Sequence, residues 1–204
     1  MRTPTLSSSE TKPYPRIFVS GFGPFQNYVE NPSWKAVSKL KSSTTYELTI
    51  FELPVSYNAV RSIMSHIYEQ GMFDIYVHVG VGSKGGMKLE TVGHGNNYTK
   101  EDTLKELPTV QKDELLRTDF DVAEICETLS DEQQISVSSD AGHFVCDYTF
   151  YTSLSATRNK NSPVMFIHVP PEAENLTTEQ VIPRLRCILV CLVDQFTRKS
   201  SRFK

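Results

Sequence analysis

Cys146 stands in the run Ser139-Asp140-Ala141-Gly142-His143-Phe144-Val145-Cys146-Asp147-Tyr148-Thr149, where small, turn-forming residues give way to an apolar, helix-compatible stretch. That context predicts a thiol in the first turn of a helix, where unpaired backbone N–H groups favour the thiolate. A thiolate so placed is a candidate nucleophile for covalent catalysis. Downstream, Val164-Met165-Phe166-Ile167-His168-Val169-Pro170-Pro171 reads as a buried strand that ends by presenting His168. Thiol and imidazole are the minimal pair for acyl transfer. A carboxylate to orient the imidazole and donors for an oxyanion would complete the set. The residues leave three acids open: Glu90, after an apolar strand and a glycine loop, and Asp140 and Asp147 beside the cysteine. Each also has an ordinary reading as a solvated carboxylate, as Cys146 has one as a packed core thiol. Among the other histidines, His78 lies inside an apolar strand and reads as a satisfied core residue, and His66 lies on a helix. His94 and His143 fall in loops.

These side chains must be positioned by elements whose signals alternate along the chain. Arg16–Ser20 reads as a strand stopped by Gly21-Phe22-Gly23-Pro24-Phe25, and Asn31-Pro32 as an N-cap and first position of a helix. A strand is expected over 46–55. Val60, Ile63, Met64, Ile67 and Tyr68 recur at helical spacing up to Gly71. Residues 74–81 form a near-continuous apolar run, as in a strand covered on both faces. Residues 83–118 show no clear period. A helix around Val122–Leu129, a strand at Ile135–Ser138, a helix over 143–156 and a strand over 163–169 follow. Thr177 and Gln180 have capping-box spacing before a last helix reaching about Thr197, with Pro183 in or near its first turns. This alternation predicts an α/β fold, a three-layer α/β/α sandwich with a largely parallel, mixed central sheet. Ligands of such sheets sit at strand C-terminal ends. The first glycine turn, the loop after Val81, His168 and Cys146 are therefore expected on one rim.

The length of 204 residues suits one domain, read here over 16–198, after a Ser/Thr/Pro-rich extension at 1–15 expected to be disordered and before a tail at 199–204. A net charge of −3 offers no electrostatic footprint for nucleic acid, and no apolar run is long enough for a bilayer. The first residues lack the apolar block of a secretory signal, so a cytoplasmic, reducing setting and free thiols are expected. Cys126, Cys187 and Cys191 sit on apolar helix faces and read as core, which leaves Cys146 as the cysteine with unusual surroundings.

Four motifs taken together resemble a known family. Gly21-Phe22-Gly23-Pro24-Phe25 with Asn31-Pro32-Ser33-Trp34 resembles the opening of pyroglutamyl peptidase type I. His78-Val79-Gly80-Val81 followed by Leu89-Glu90 resembles its glutamate segment. Asp140-Ala141-Gly142 through Cys146-Asp147-Tyr148-Thr149 and on to Leu154 resembles its cysteine segment, and Phe166-Ile167-His168-Val169-Pro170-Pro171 its histidine segment. The motifs keep the family's order from about Arg16 to Phe196, in wording closer to the animal-type members than to the bacterial ones. The resemblance implies a Cys146–His168–Glu90 triad, an α/β/α sandwich, and removal of an N-terminal pyroglutamyl residue from small peptides without metal or cofactor. It also implies a ring pocket of Phe22, Phe25, Phe144 and Val145. Pyroglutamate is a flat, uncharged lactam, so aromatic walls with a few amide partners suit it. Bacterial members carry an arginine about ten residues after the glutamate. Lys100 has that spacing here, but the loop Gly93-His94-Gly95-Asn96-Asn97-Tyr98 before it is divergent. Two other readings are a non-catalytic binder of pyroglutamyl peptides and a nucleoside phosphorylase-like enzyme. The latter needs basic residues at the first glycine turn, which has none.

Overall fold

The apolar run Ile75–Val81 becomes the middle of a sheet because every residue but the last is buried, so both its faces must be covered. A computed structural model describes residues 14–25, 29–109, 111–129, 134–172 and 176–201. In chain order the elements are β1 (Arg16–Phe22), α1 (Pro32–Val37), β2 (Glu47–Leu53), α2 (Tyr57–Gln70), β3 (Ile75–Val81), β4 (Met87–Glu90) and β5 (Val92–His94). There follow β6 (Leu115–Arg117), α3 (Val122–Leu129), β7 (Ile135–Ser138), α4 (Val145–Thr157), β8 (Val164–Val169) and α5 (Thr178–Ser201). The main sheet has six strands in the order β2-β1-β3-β8-β4-β7, and β5 and β6 form a separate two-stranded sheet. The extension expected at 1–15 lies outside the described residues except for Tyr14 and Pro15, as does the tail beyond Ser201.

Period-2 alternation divides the core. Ile17, Val19, Ile75, Val77, Val79, Leu89, Met165 and Ile167 point to one face, where residues of α1, α3 and α5 join them. Phe18, Phe22, Tyr76, Val164 and Phe166 point to the other, under α2 and α4. Successive strand residues must face opposite ways, so His78, Gly80, Glu90 and His168 fall on the α2/α4 face.

Helix signals held closely. Asn31 accepts a hydrogen bond from the Ser33 N–H with Pro32 at the start of α1, and Gly71, at φ 59°, closes α2 in the left-handed region. Gln180 accepts the Thr177 N–H at 2.9 Å, half of the expected capping box. α5 then accommodates Pro183 inside it and continues to Ser201, past the expected end.

Three expectations change. The aperiodic region 83–118 contains β4, β5 and β6, strands of only three or four residues. Cys126, Cys187 and Cys191 are not sealed in the core: all four cysteines are half-buried, these three against the core's edge. The single-rim expectation also fails in part. β1, β2, β3 and β8 run parallel, but β4 is antiparallel to β8 and parallel to β7. The C-terminal ends of β4 and β7 therefore point away from the rim that carries the first glycine turn and His168.

Candidate active site

Cys146 reaches the sheet because the chain after β7 runs through residues 139–144 before α4 begins beneath β3 and β8. Phe144 is the N-cap of α4 in extended conformation and makes no side-chain capping bond, so Cys146 is the second helical residue. An uncapped first turn presents backbone N–H donors that a ligand can take up. Gly80 leaves room above it: a Cβ there would lie 2.7 Å from Cys146 Sγ and 2.9 Å from Phe166 Cζ. A glycine inside a strand marks this kind of close approach.

His168 and Glu90 meet across the one antiparallel step among the described strands of the main sheet. Glu90 is registered with Phe166 and His168 with Lys88, which makes Glu90 and His168 diagonal neighbours on one face. The side chains close that diagonal, with His168 Nδ1 2.8 Å from Glu90 Oε1. Glu90 is fully buried, and Oε2 has no hydrogen-bond partner among the described residues. Burial alone would push the His168 imidazole down. Hydrogen bonds and electrostatic attraction to Cys146 and Glu90 overcome it and raise the ring to about 9. The ring therefore sits between sulfur and carboxylate, which both favour its protonated form.

The other buried histidine is its opposite. His78 lies between the hydroxyls of Ser20, 2.7 Å from Nδ1, and Ser153, 2.8 Å from Nε2. Burial pushes it down to about 3, so it is neutral, as expected of a core residue. His66 is exposed on α2 beside Gln70. Asp140 is exposed and caps its own turn, accepting the Gly142 N–H at 2.9 Å. Asp147 is fully buried but turns away from His168, with His94 Nδ1 3.2 Å from its Oδ1. The alternative acids are thus engaged elsewhere.

A cavity of about 190 Å³ opens beside Cys146. Phe22, Phe25 and Phe144 wall it with Val55, Val81 and Val145, and among the described residues neither a carboxylate nor a basic side chain lines it. Phe25 and Phe144 pack with ring centroids 5.4 Å apart. Phe22 is only 2% exposed, so it is core as well as wall, whereas Phe25 is half-buried. Asn31 also lines the cavity, a role its capping signal did not disclose. Its Nδ2 donates to the Gly23 carbonyl at 3.0 Å and its Oδ1 accepts from the Ser33 hydroxyl, tying the first glycine turn to α1. Lys100 is exposed, and its carbonyl accepts the Tyr57 hydroxyl. A larger cavity between α2 and α4, about 290 Å³, is lined by Arg61, Lys112, Tyr148 and Tyr151 and includes none of the thiol, imidazole and glutamate.

The family model described as pyroglutamyl peptidase matches residues 15–95 and 119–188, leaving out residues 96–118 with β6. Human pyroglutamyl-peptidase 1 is 31% identical over 94% of this chain and 96% of its own length. The pyrrolidone-carboxylate peptidase of Staphylococcus aureus is 24% identical over 83% of this chain and 89% of its own, so the animal relative is the nearer of the two. Among solved structures, pyroglutamyl peptidase I from Bacillus amyloliquefaciens superimposes with a TM-score of 0.78 at 22% identity, over 87% of this chain and 94% of that one. No helix among the described residues is long and apolar enough to cross a membrane. With the motifs in order and the fold matched, the chain belongs to the pyroglutamyl peptidase family of hydrolases.

Proposed function

We propose that this protein is a cytoplasmic cysteine omega-peptidase that removes N-terminal pyroglutamate from small peptides, with residues 16–198 as its catalytic domain. The observation that carries the reading is Cys146 lining an aromatic cavity, beside an imidazole that Cys146 and a buried glutamate together favour in its protonated form. The Cys146 thiolate attacks the pyroglutamyl carbonyl. The oxyanion is held by backbone N–H groups at the uncapped start of α4. His168 protonates the leaving amine, and the C–N bond breaks to leave a thioester. Water then gives a proton to His168 and its oxygen to the carbonyl, releasing pyroglutamate and the thiolate. Glu90 keeps the imidazole in one tautomer and orientation throughout.

The cavity explains specificity. An N-terminal glutamine, glutamate or proline brings an ammonium, and among the described residues no carboxylate lines the cavity to pair with it. The test is hydrolysis of a fluorogenic pyroglutamyl amide beside its glutaminyl and prolyl counterparts, before and after treatment with a thiol alkylator. Only the pyroglutamyl amide is turned over, and alkylation at Cys146 abolishes it. Burial raises the Cys126 and Cys191 thiols, which slows their alkylation. Equal cleavage of the glutaminyl amide, or full activity with Cys146 blocked, refutes the reading.

A further inference from the structure

On the side of α4 turned away from His168, a second group of side chains is gathered from two separate parts of the chain. His94 ends β5, His143 lies in the loop before α4, and Asp147 sits in that helix's first turn. One donor atom from each lies within 4.8 Å of those from the other two. Asp147 Oδ1 is 3.2 Å from His94 Nδ1, and Oδ2 is 3.9 Å from His143 Nδ1. In a tetrahedral zinc site with bonds of about 2.0–2.1 Å, neighbouring donors are about 3.3 Å apart. The His94 pair already has that spacing, and the ring that must move in to share a carboxylate oxygen with it, His143, is the exposed one. We infer that His94, His143 and Asp147 form a binding site for a divalent cation of the zinc class, with a fourth position open to water.

The scaffold supports this assignment. Asp147 is fully buried, and the two imidazoles are the basic groups beside its carboxylate. The His94 N–H donates to Asp147 Oδ1 at 3.1 Å, fixing one ligand's backbone against the other's side chain. Gly93 lets β5 lie directly on α4, since a Cβ there would fall 2.9 Å from the Tyr151 backbone. Asp147 also accepts the Tyr98 hydroxyl at 3.2 Å, an outer partner of the kind that orients metal ligands. Two imidazoles and one carboxylate suit borderline cations over calcium or magnesium, which prefer oxygen. A bound cation would clamp β5, the loop and α4 together around the turn that carries Cys146.

The experiment uses metal-free Cys146→Ser protein, so that the nucleophilic thiol cannot take the metal itself. Zinc chloride is titrated by calorimetry, and cobalt(II) is followed by visible absorption. One zinc binds per chain and raises the melting temperature, and cobalt gives four-coordinate bands without sulfur charge transfer. Adding His143→Ala, a change at an exposed side chain, weakens zinc binding by about 100-fold and removes the thermal shift. Adding His94→Gln does the same. Zinc affinity unchanged by His143→Ala, or no binding at millimolar zinc, overturns the assignment.

Discussion

Two imidazole–carboxylate pairs flank the first turn of α4, and they are built for different ends. Glu90 and Asp147 are both fully buried. Glu90 gives one oxygen to one ring, and its other oxygen has no partner among the described residues. Asp147 accepts the His94 N–H and ring and the Tyr98 hydroxyl, so its charge is divided among donors from another part of the chain. A carboxylate shared in this way fastens segments together. One aimed at a single imidazole sustains a charge on that imidazole, here with the help of Cys146.

The comparison is broken most severely by removing the group that both pairs surround. Cys146→Ala should lower kcat/KM by about three orders of magnitude or more with the melting temperature little changed, because a nucleophile has no substitute in its unit. Activity near wild type would end the mechanism. Next comes the space that admits the thiol. Gly80→Ala, whose methyl would meet Sγ, should cost roughly 100-fold in kcat, as expected for a displacement of the nucleophile by about 1 Å. An unaffected kcat would mean that the sulfur is not held where the structure has it.

The sharpest contrast is between the two acids. Glu90→Gln should reduce kcat/KM by roughly 10–100-fold, less than His168→Ala, since an orienting group assists the base without replacing it. Asp147→Asn should instead show mainly in stability, by about 1–3 kcal/mol in urea unfolding, through its buried donors. If the two amides exchange these signatures, the orienting role belongs to Asp147. The cavity walls divide in the same way. Phe25→Ala should weaken transition-state binding by roughly 1–3 kcal/mol with folding little affected. Phe22→Ala should also destabilise the fold by about 3–5 kcal/mol, because that ring is buried.

The smallest effect is on stability against pH. His168 is raised above its ordinary value of about 6.5, so the folded state holds its proton more tightly than the unfolded chain does. That contribution is complete below about pH 6.5 and is lost as pH rises through about 9. Urea midpoints of wild type and His168→Asn should therefore converge between those values. An advantage of the wild type that grows with pH would contradict the charged imidazole.

Much of this molecule was legible in its residues where a local signal has one physical meaning. Asn31-Pro32, Gly71 and the Thr177/Gln180 spacing marked helix ends because each satisfies or frees particular backbone groups. The apolar run at 75–81 announced a buried strand, and His78 inside it a neutral core histidine. The cysteine at a helix start and the histidine at a strand end were readable too, and resemblance to a family selected Glu90 where spacing left three acids open. Short strands escaped: β4, β5 and β6 are too brief for a period to show. The direction of β4 escaped as well, because nothing local in Met87–Glu90 states whether its neighbour β8 runs with it or against it.

What the sequence determined by itself was therefore the longer strands and the helices, their buried faces and the kinds of side chain gathered near the sheet. Only the tertiary structure decided which carboxylate serves which imidazole. Reversing β4 against β8 sets Glu90 diagonal to His168 on one face, while the packing of β5 on α4 commits Asp147 to His94. Both choices depend on contacts between residues far apart in the chain, and local conformational preference carries no information about which distant strand will lie beside a given one.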